Sequence, residues 1–278
     1  MKTNIALGVV LRSGVLAIVA FFSTLGGLRA SVLDFDPPSY TAGTTVIGQD
    51  SWRWLLSGGS NPNSIATVVA SPSAISSPNL LQVAGSIEGT GNYGVLLNTG
   101  PDGLFLGTSG VITFYYQQVV APATYAQTVS FSINDGAVGS AMSFEFGTPQ
   151  NLALPGRLGY YNGGADPVYT TTNIFDSSAT GDWFRFTVNF TPTSYDFTVF
   201  NLTDATTVLD LSGLQYQNGA SITKNIYGAT IFAYDGVSYY DSISIVAVPE
   251  ASTVSLALIG CVGFVFGRRL FCSCKKRC

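Results

Sequence analysis

The chain of 278 residues contains no histidine, and its four cysteines, Cys261, Cys272, Cys274 and Cys278, all lie close to its end. Everything upstream of them therefore lacks the usual general base, the Ser-His and Cys-His nucleophile pairs and the common zinc ligand sets. Carboxylates and aromatic rings are the side chains left to do chemistry. Glycoside hydrolysis needs only two carboxylates, but between residues 31 and 248 the only glutamates are Glu88 and Glu145, and neither has a carboxylate two positions on. In Ser143-Phe144-Glu145-Phe146 the alternation sets Glu145 beside serine on a polar strand face, where a solvated side chain is expected. Asp34 and Asp36, two apart, share one face of a first strand, and Asp241 begins the last one. Hard cations take several carboxylate and carbonyl oxygens, so these three residues are the candidate ligands of a structural calcium. The competing reading leaves Asp34 and Asp36 solubilising an edge strand while Asp241 caps a turn. Trp52 and Trp54 are also two apart, so on a strand both face one way and would make a platform for sugar rings. Core packing is the competing use of these rings.

The elements that must position these residues are strands. Runs rich in Val, Ile, Thr, Phe and Tyr alternate with Gly, Pro, Asn, Asp and Ser clusters, as strands joined by turns require. The clearest runs are 110–116, 128–133, 142–146, 183–190 and 243–246, with a strong turn signal at Asn134-Asp135-Gly136. Period-two alternation gives each strand one core face and one solvent face. In the tyrosine pairs Tyr115-Tyr116, Tyr160-Tyr161 and Tyr239-Tyr240, one ring must then lie on each face. Roughly a dozen strands at sandwich spacing predict an all-β, two-sheet antiparallel jelly roll. Gly89-Thr90-Gly91-Asn92-Tyr93-Gly94 matches a dinucleotide fingerprint in letters only, because Val95-Leu96-Leu97-Asn98 after it reads as a strand and not a helix.

Gly181-Asp182-Trp183-Phe184-Arg185-Phe186, a turn, and Tyr195-Asp196-Phe197-Thr198-Val199-Phe200 resemble the central hairpin of concanavalin A-like and laminin-G-like sandwiches. Asp241-Ser242-Ile243-Ser244-Ile245 is similar to their closing strand. The resemblance implies a concanavalin A-like β-sandwich. It also implies that the first and last strands lie side by side near a structural calcium, and it brings in glucanases, whose paired-carboxylate strand is missing here.

Lys2 and Arg12 precede the apolar run Val15 to Phe22, and Leu28-Arg29-Ala30 offers a cut before Ser31, so residues 1–30 read as a secretory signal peptide. At the other end, Val248-Pro249-Glu250-Ala251-Ser252 leads into an apolar run from Val254 to Phe266, followed by Arg268-Arg269. At about 1.5 Å per residue that run is about 20 Å long, short of the roughly 30 Å hydrocarbon core, and suits a processed anchor better than a permanent span. The order of dipeptide, apolar run and arginines resembles the PEP-CTERM sorting signal, with Ala251 where a second proline is usual. This resemblance makes Val248, Pro249, Glu250, Ala251, Arg268 and Arg269 the sorting and processing residues. It implies export through the Sec translocon, a transmembrane helix over about residues 254–267 that holds an inner-membrane intermediate, and processing by an exosortase-type enzyme. The product is then delivered to the cell surface or extracellular matrix. Basic residues beyond both apolar segments place both termini on the cytoplasmic side. The chain thus divides into a signal peptide over 1–30, an exported β-sandwich over 31–247 and a sorting signal over 248–278.

Of sixteen acidic residues all but Glu250 fall between residues 31 and 248, against only Arg53, Arg157, Arg185 and Lys224. Fifteen against four leaves that part at −11, while the whole chain reads −4. A nucleic-acid partner needs a basic surface and is excluded; cations and glycans are not. With no upstream cysteine, stability must come from an apolar core. These readings predict a non-enzymatic exported module associated with extracellular polysaccharide. A carbohydrate-active enzyme, glucanase or lyase, and a purely structural adhesion protein are the alternatives.

Overall fold

The computed structural model describes residues 30–58, 65–71, 73–75, 78–85, 93–99, 103–122, 126–134, 140–146, 156–175, 181–233 and 236–248. Residues Ala30–Ala247 form one compact unit. The described residues fold as two antiparallel sheets, as the period-two patterning predicts. The first sheet contains β1 (Ala30–Leu33), β3 (Ala66–Ala70), β4 (Asn79–Ala84), β7 (Gly110–Val120), β12 (Trp183–Phe190), β13 (Ser194–Asn201), β14 (Thr206–Gln215) and β16 (Val237–Ala247). Its order is β14-β13-β12-β7-β16-β4-β3, with β1 also on β16. The second contains β2 (Trp52–Gly58), β5 (Tyr93–Asn98), β6 (Phe105–Leu106), β8 (Gln127–Ile133), β9 (Ser140–Phe146), β10 (Leu158–Tyr160), β11 (Val168–Tyr169) and β15 (Asn225–Ala233). Its order is β11-β10-β9-β8-β15-β5-β2, with β6 on β15.

Between the sheets lies an apolar core made by alternate residues. Phe114 on β7 stacks on Phe186 of β12 at 4.6 Å, and Phe144 from β9 of the other sheet meets them at 5.8 and 5.7 Å. Tyr116 stacks on Phe146 across the sandwich at 4.0 Å. This interdigitation of two inner faces fixes which residues of each strand look outward. Tyr116 and Tyr240 are fully buried inward while Tyr115 and Tyr239 are half-buried on the other face, as the pairing rule requires.

The strand ends differ from the sequence reading in one place that matters. β1 stops at Leu33, because Phe35 takes a left-handed backbone (φ 61°) and turns the chain. Asp34 and Asp36 therefore lie in a turn after the strand and not on one strand face. Asp241 sits in the middle of β16, at an irregularity in its pairing with β7, rather than at its start. No helix among the described residues is long and apolar enough to cross a membrane. The expected signal peptide over 1–30, apart from Ala30, and the expected sorting signal with its helix over 248–278, apart from Val248, lie outside the described residues.

Candidate functional site

Strand parity places the polar side chains of the second sheet on its outer face. On β9, Met142, Phe144 and Phe146 enter the core, so Ser143 and Glu145 face out. Glu145 pairs with Gly159 of β10, and Gly159 pairs with Tyr169 of β11, which puts the three in one row. Gly159 has no side chain to separate its neighbours: a Cβ there would stand 2.6 Å from Cε1 of Tyr169 and 3.1 Å from Cβ of Glu145. Tyr169 crosses the gap and its hydroxyl donates to Oε2 of Glu145 at 2.5 Å. Burial pushes the Glu145 carboxyl above its ordinary range, only partly offset by that hydrogen bond. Burial also raises the Tyr169 phenol, helped by the carboxylate.

One row along, Ser143, Ser130 of β8 and Thr230 of β15 stand side by side in register. Their exposures are 2, 8 and 6 %, so this hydroxyl floor is recessed. The Ser130 and Ser143 hydroxyls hydrogen-bond each other at 3.0 Å; Oγ1 of Thr230 is buried without a hydrogen-bond partner. A carboxylate braced by a phenol, at the head of recessed hydroxyls, can accept from and donate to a polyhydroxylated ligand.

Sequence reasoning placed Glu145 correctly on the polar face but expected a solvated side chain. It lacked Tyr169 and Gly159, which only the pairing of β9, β10 and β11 brings there. The tryptophan platform is corrected. Trp52 is 1 % exposed in the core, and its Nε1 donates to Tyr40 Oη at 3.0 Å, which in turn donates to Asp50 Oδ2 at 3.0 Å. Trp54 shares that inward face and packs on the core, with its buried Nε1 unpartnered. Two rings at i and i+2 do face one way here, and the way is inward.

The three aspartates come together, but through amides. Asp34 Oδ1 accepts the N–H of Asp36 at 3.1 Å, Asp36 Oδ1 that of Asn79 at 3.0 Å, and the fully buried Asp241 accepts the N–H of Ile75 at 2.5 Å on Oδ2. Burial raises the Asp36 carboxyl, and the charges of Asp34 and Asp241 raise it further. No three carboxylates among the described residues are gathered as a metal-holding set. Three of the six carboxylate oxygens of the expected calcium corner accept backbone N–H groups. Of the sorting residues, Val248 is half-exposed just after β16; Pro249, Glu250, Ala251, Arg268 and Arg269 lie outside the described residues.

No family model and no curated protein matches the chain. Several solved structures are similar in architecture. A glycoside hydrolase family 131 catalytic domain from Coprinopsis cinerea is 14% identical, with 75% of this chain and 85% of that chain covered and a TM-score of 0.46. A Bacillus licheniformis β-glucanase is 12% identical over 81% of this chain and 100% of its own, TM-score 0.44. Lectin II from Ulex europaeus is 9% identical over 77% and 98%, TM-score 0.44. At such values the likeness assigns no residue, ligand or activity to this chain.

Proposed function

We propose that this protein is an exported β-sandwich that associates with extracellular polysaccharide and binds a neutral glycan, without turning it over, on the outer face of its second sheet. The observation that carries the reading is the Glu145–Tyr169 pair, closed across Gly159 at the edge of recessed hydroxyls. Sugar hydroxyls are both donors and acceptors, and the carboxylate and phenol supply the complement. Sorting belongs to the same reading: the terminal patterns support passage through the Sec translocon and processing by an exosortase-type enzyme on the way to the cell surface.

One observation favours a hydrolase as the second reading. A carboxyl raised by burial has the property a general acid needs. Hydrolysis also needs a second carboxylate across the bond; Asp166 acts on the same Tyr161 and Tyr169 as Glu145 does, but it is not among the groups that shift Glu145 itself. Binding isotherms of the full chain on a panel of neutral polysaccharides, with reducing-sugar release followed in parallel, test both. Binding lost in Glu145→Gln with no sugar release is the expected result; release abolished by the same variant would establish the enzyme.

A further inference from the structure

On the opposite side of the sandwich, the outer face of the first sheet carries a cation without a carboxylate. In β12 the residues Phe184, Phe186, Val188 and Phe190 enter the core, so Trp183, Arg185 and Thr187 face out. Arg185 lies in register between Phe200 of β13 and Tyr115 of β7, both half-buried on the same face. Its guanidinium carbon sits 5.1 Å from the centroid of the Phe200 ring. Fifteen acidic residues surround four basic ones in this part of the chain, yet Arg185 makes no ion pair among the described residues, and its buried Nε has no hydrogen-bond partner. The next carboxylate in its row, Asp241, lies beyond Tyr115 on β16 and accepts from the Ile75 amide. At about 4.8 Å per strand it is roughly 10 Å away, about one screening length.

Two residues earlier on that face, Trp183 is 6 % exposed and its buried indole N–H is also unpartnered. Two buried N–H donors on one face lack acceptors, which costs free energy. One position further along β12, Thr187 lies in register with Thr113 of β7 and Thr198 of β13. The Thr198 hydroxyl donates to Asp210 at 3.2 Å, so the end of the row towards β14 repels anions while the end at Arg185, Thr187 and Thr113 does not.

We propose that this face binds an acidic polysaccharide through its uronate carboxylates. A carboxylate engages a guanidinium through two parallel bonds from its two terminal nitrogens. Phe200 holds that plane in place by cation–π contact, and with Nε buried it is the terminal nitrogens that are left to meet the ligand. Tyr115 offers a ring on which a pyranose packs its apolar face, and the Thr187 and Thr113 hydroxyls meet its ring hydroxyls. The net charge of −11 opposes this ligand at long range, so recognition depends on contact at Arg185 and not on the overall field.

The test titrates the full chain with an oligogalacturonate and, separately, with a neutral gluco-oligosaccharide of equal length, by calorimetry and by tryptophan fluorescence. The uronate should bind and the neutral sugar should not bind at this face. Arg185→Gln should weaken the uronate about tenfold or more, since a hydrogen bond to a charged group is being removed. Arg185→Lys keeps the charge without the planar fork and should recover only part of that loss, and it reads the same contact if the glutamine variant fails to fold. Glu145→Gln, on the other sheet, should leave uronate affinity unchanged, so failure here and failure of the neutral-glycan site are told apart. Equal uronate affinity in wild type and Arg185→Lys, no uronate binding by the wild type, or equal binding of both sugars that both Arg185 variants leave intact would overturn the proposal.

Discussion

Glu145 is held by one neighbour and made possible by the absence of another. Replacing Gly159 by alanine pushes a methyl into the Tyr169 ring and against Glu145 Cβ, so the ring must move. Overpacking of this kind costs about 1–3 kcal/mol, and the expected outcome for Gly159→Ala is a lower melting temperature together with weaker neutral-glycan binding. Both Glu145 and Asp36 have carboxyls raised in the folded state. The folded protein therefore binds those protons more tightly than the unfolded chain does, and their contribution to stability is full below the unfolded carboxyl range, about pH 4, and is lost as pH rises through the folded values. Melting temperature followed from pH 7 down towards 5 should rise from this contribution. Glu145→Gln should flatten the rise; an unchanged slope would show that the carboxyl is as solvated as in the unfolded chain. At the acidic corner, Asp241→Ala leaves the Ile75 N–H without its acceptor and should cost about 1–3 kcal/mol, with Asp241→Asn costing less because its amide oxygen still accepts. At that corner a calcium-specific rise in melting temperature that chelator reverses would show further oxygens completing a cage, and a response no larger than that to magnesium would show that the amides alone hold these carboxylates.

Strand parity was legible from the sequence wherever a run alternated for four residues or more. β7, β8, β9, β12 and the end of β16 were identifiable from their own residues, and their inward rings join the two sheets. Phe186 touches Phe114 in its own sheet and Phe144, Phe146 and Phe175 outside it. Phe186→Ala should cost about 3–5 kcal/mol, read as a drop in denaturant midpoint at unchanged slope. What could not be read was lateral order. β16 pairs with β7, β4 and β1, residues up to some two hundred positions away, and no local propensity encodes such a neighbour. The misjudged side chains follow from that. Trp52 points inward because Tyr40, folded back from the turn after β1, meets its indole; Glu145 is clamped because a two-residue strand, β11, comes to lie beyond β10. Short strands such as β6, β10 and β11 carry too few residues for alternation to register, which is why sixteen strands appear among the described residues where the sequence suggests roughly a dozen.

Across the whole molecule, the pairing of Ala30 with Val246 means that the chain enters and leaves the sandwich side by side. The last strand pairs through Ala247, which faces Gly110, and the processing dipeptide Pro249-Glu250 follows directly. Cleavage there leaves every described ladder and core residue in the chain. The proposed processing therefore predicts two linked results. Intact-mass analysis of the protein from its native host should give a species ending near residues 249–250 and lacking all four cysteines, and one retaining Cys278 would exclude processing. A chain ended at Val248 should melt within about 0.5 kcal/mol of the longer form, as changes away from packed features do. A chain ended at Tyr239 loses Tyr240, Ile243 and Ile245 from the core and the central strand of the first sheet, and should not fold. A Val248 truncation that unfolds would mean that the tail, and not the two sheets alone, supplies part of the stability of the sandwich.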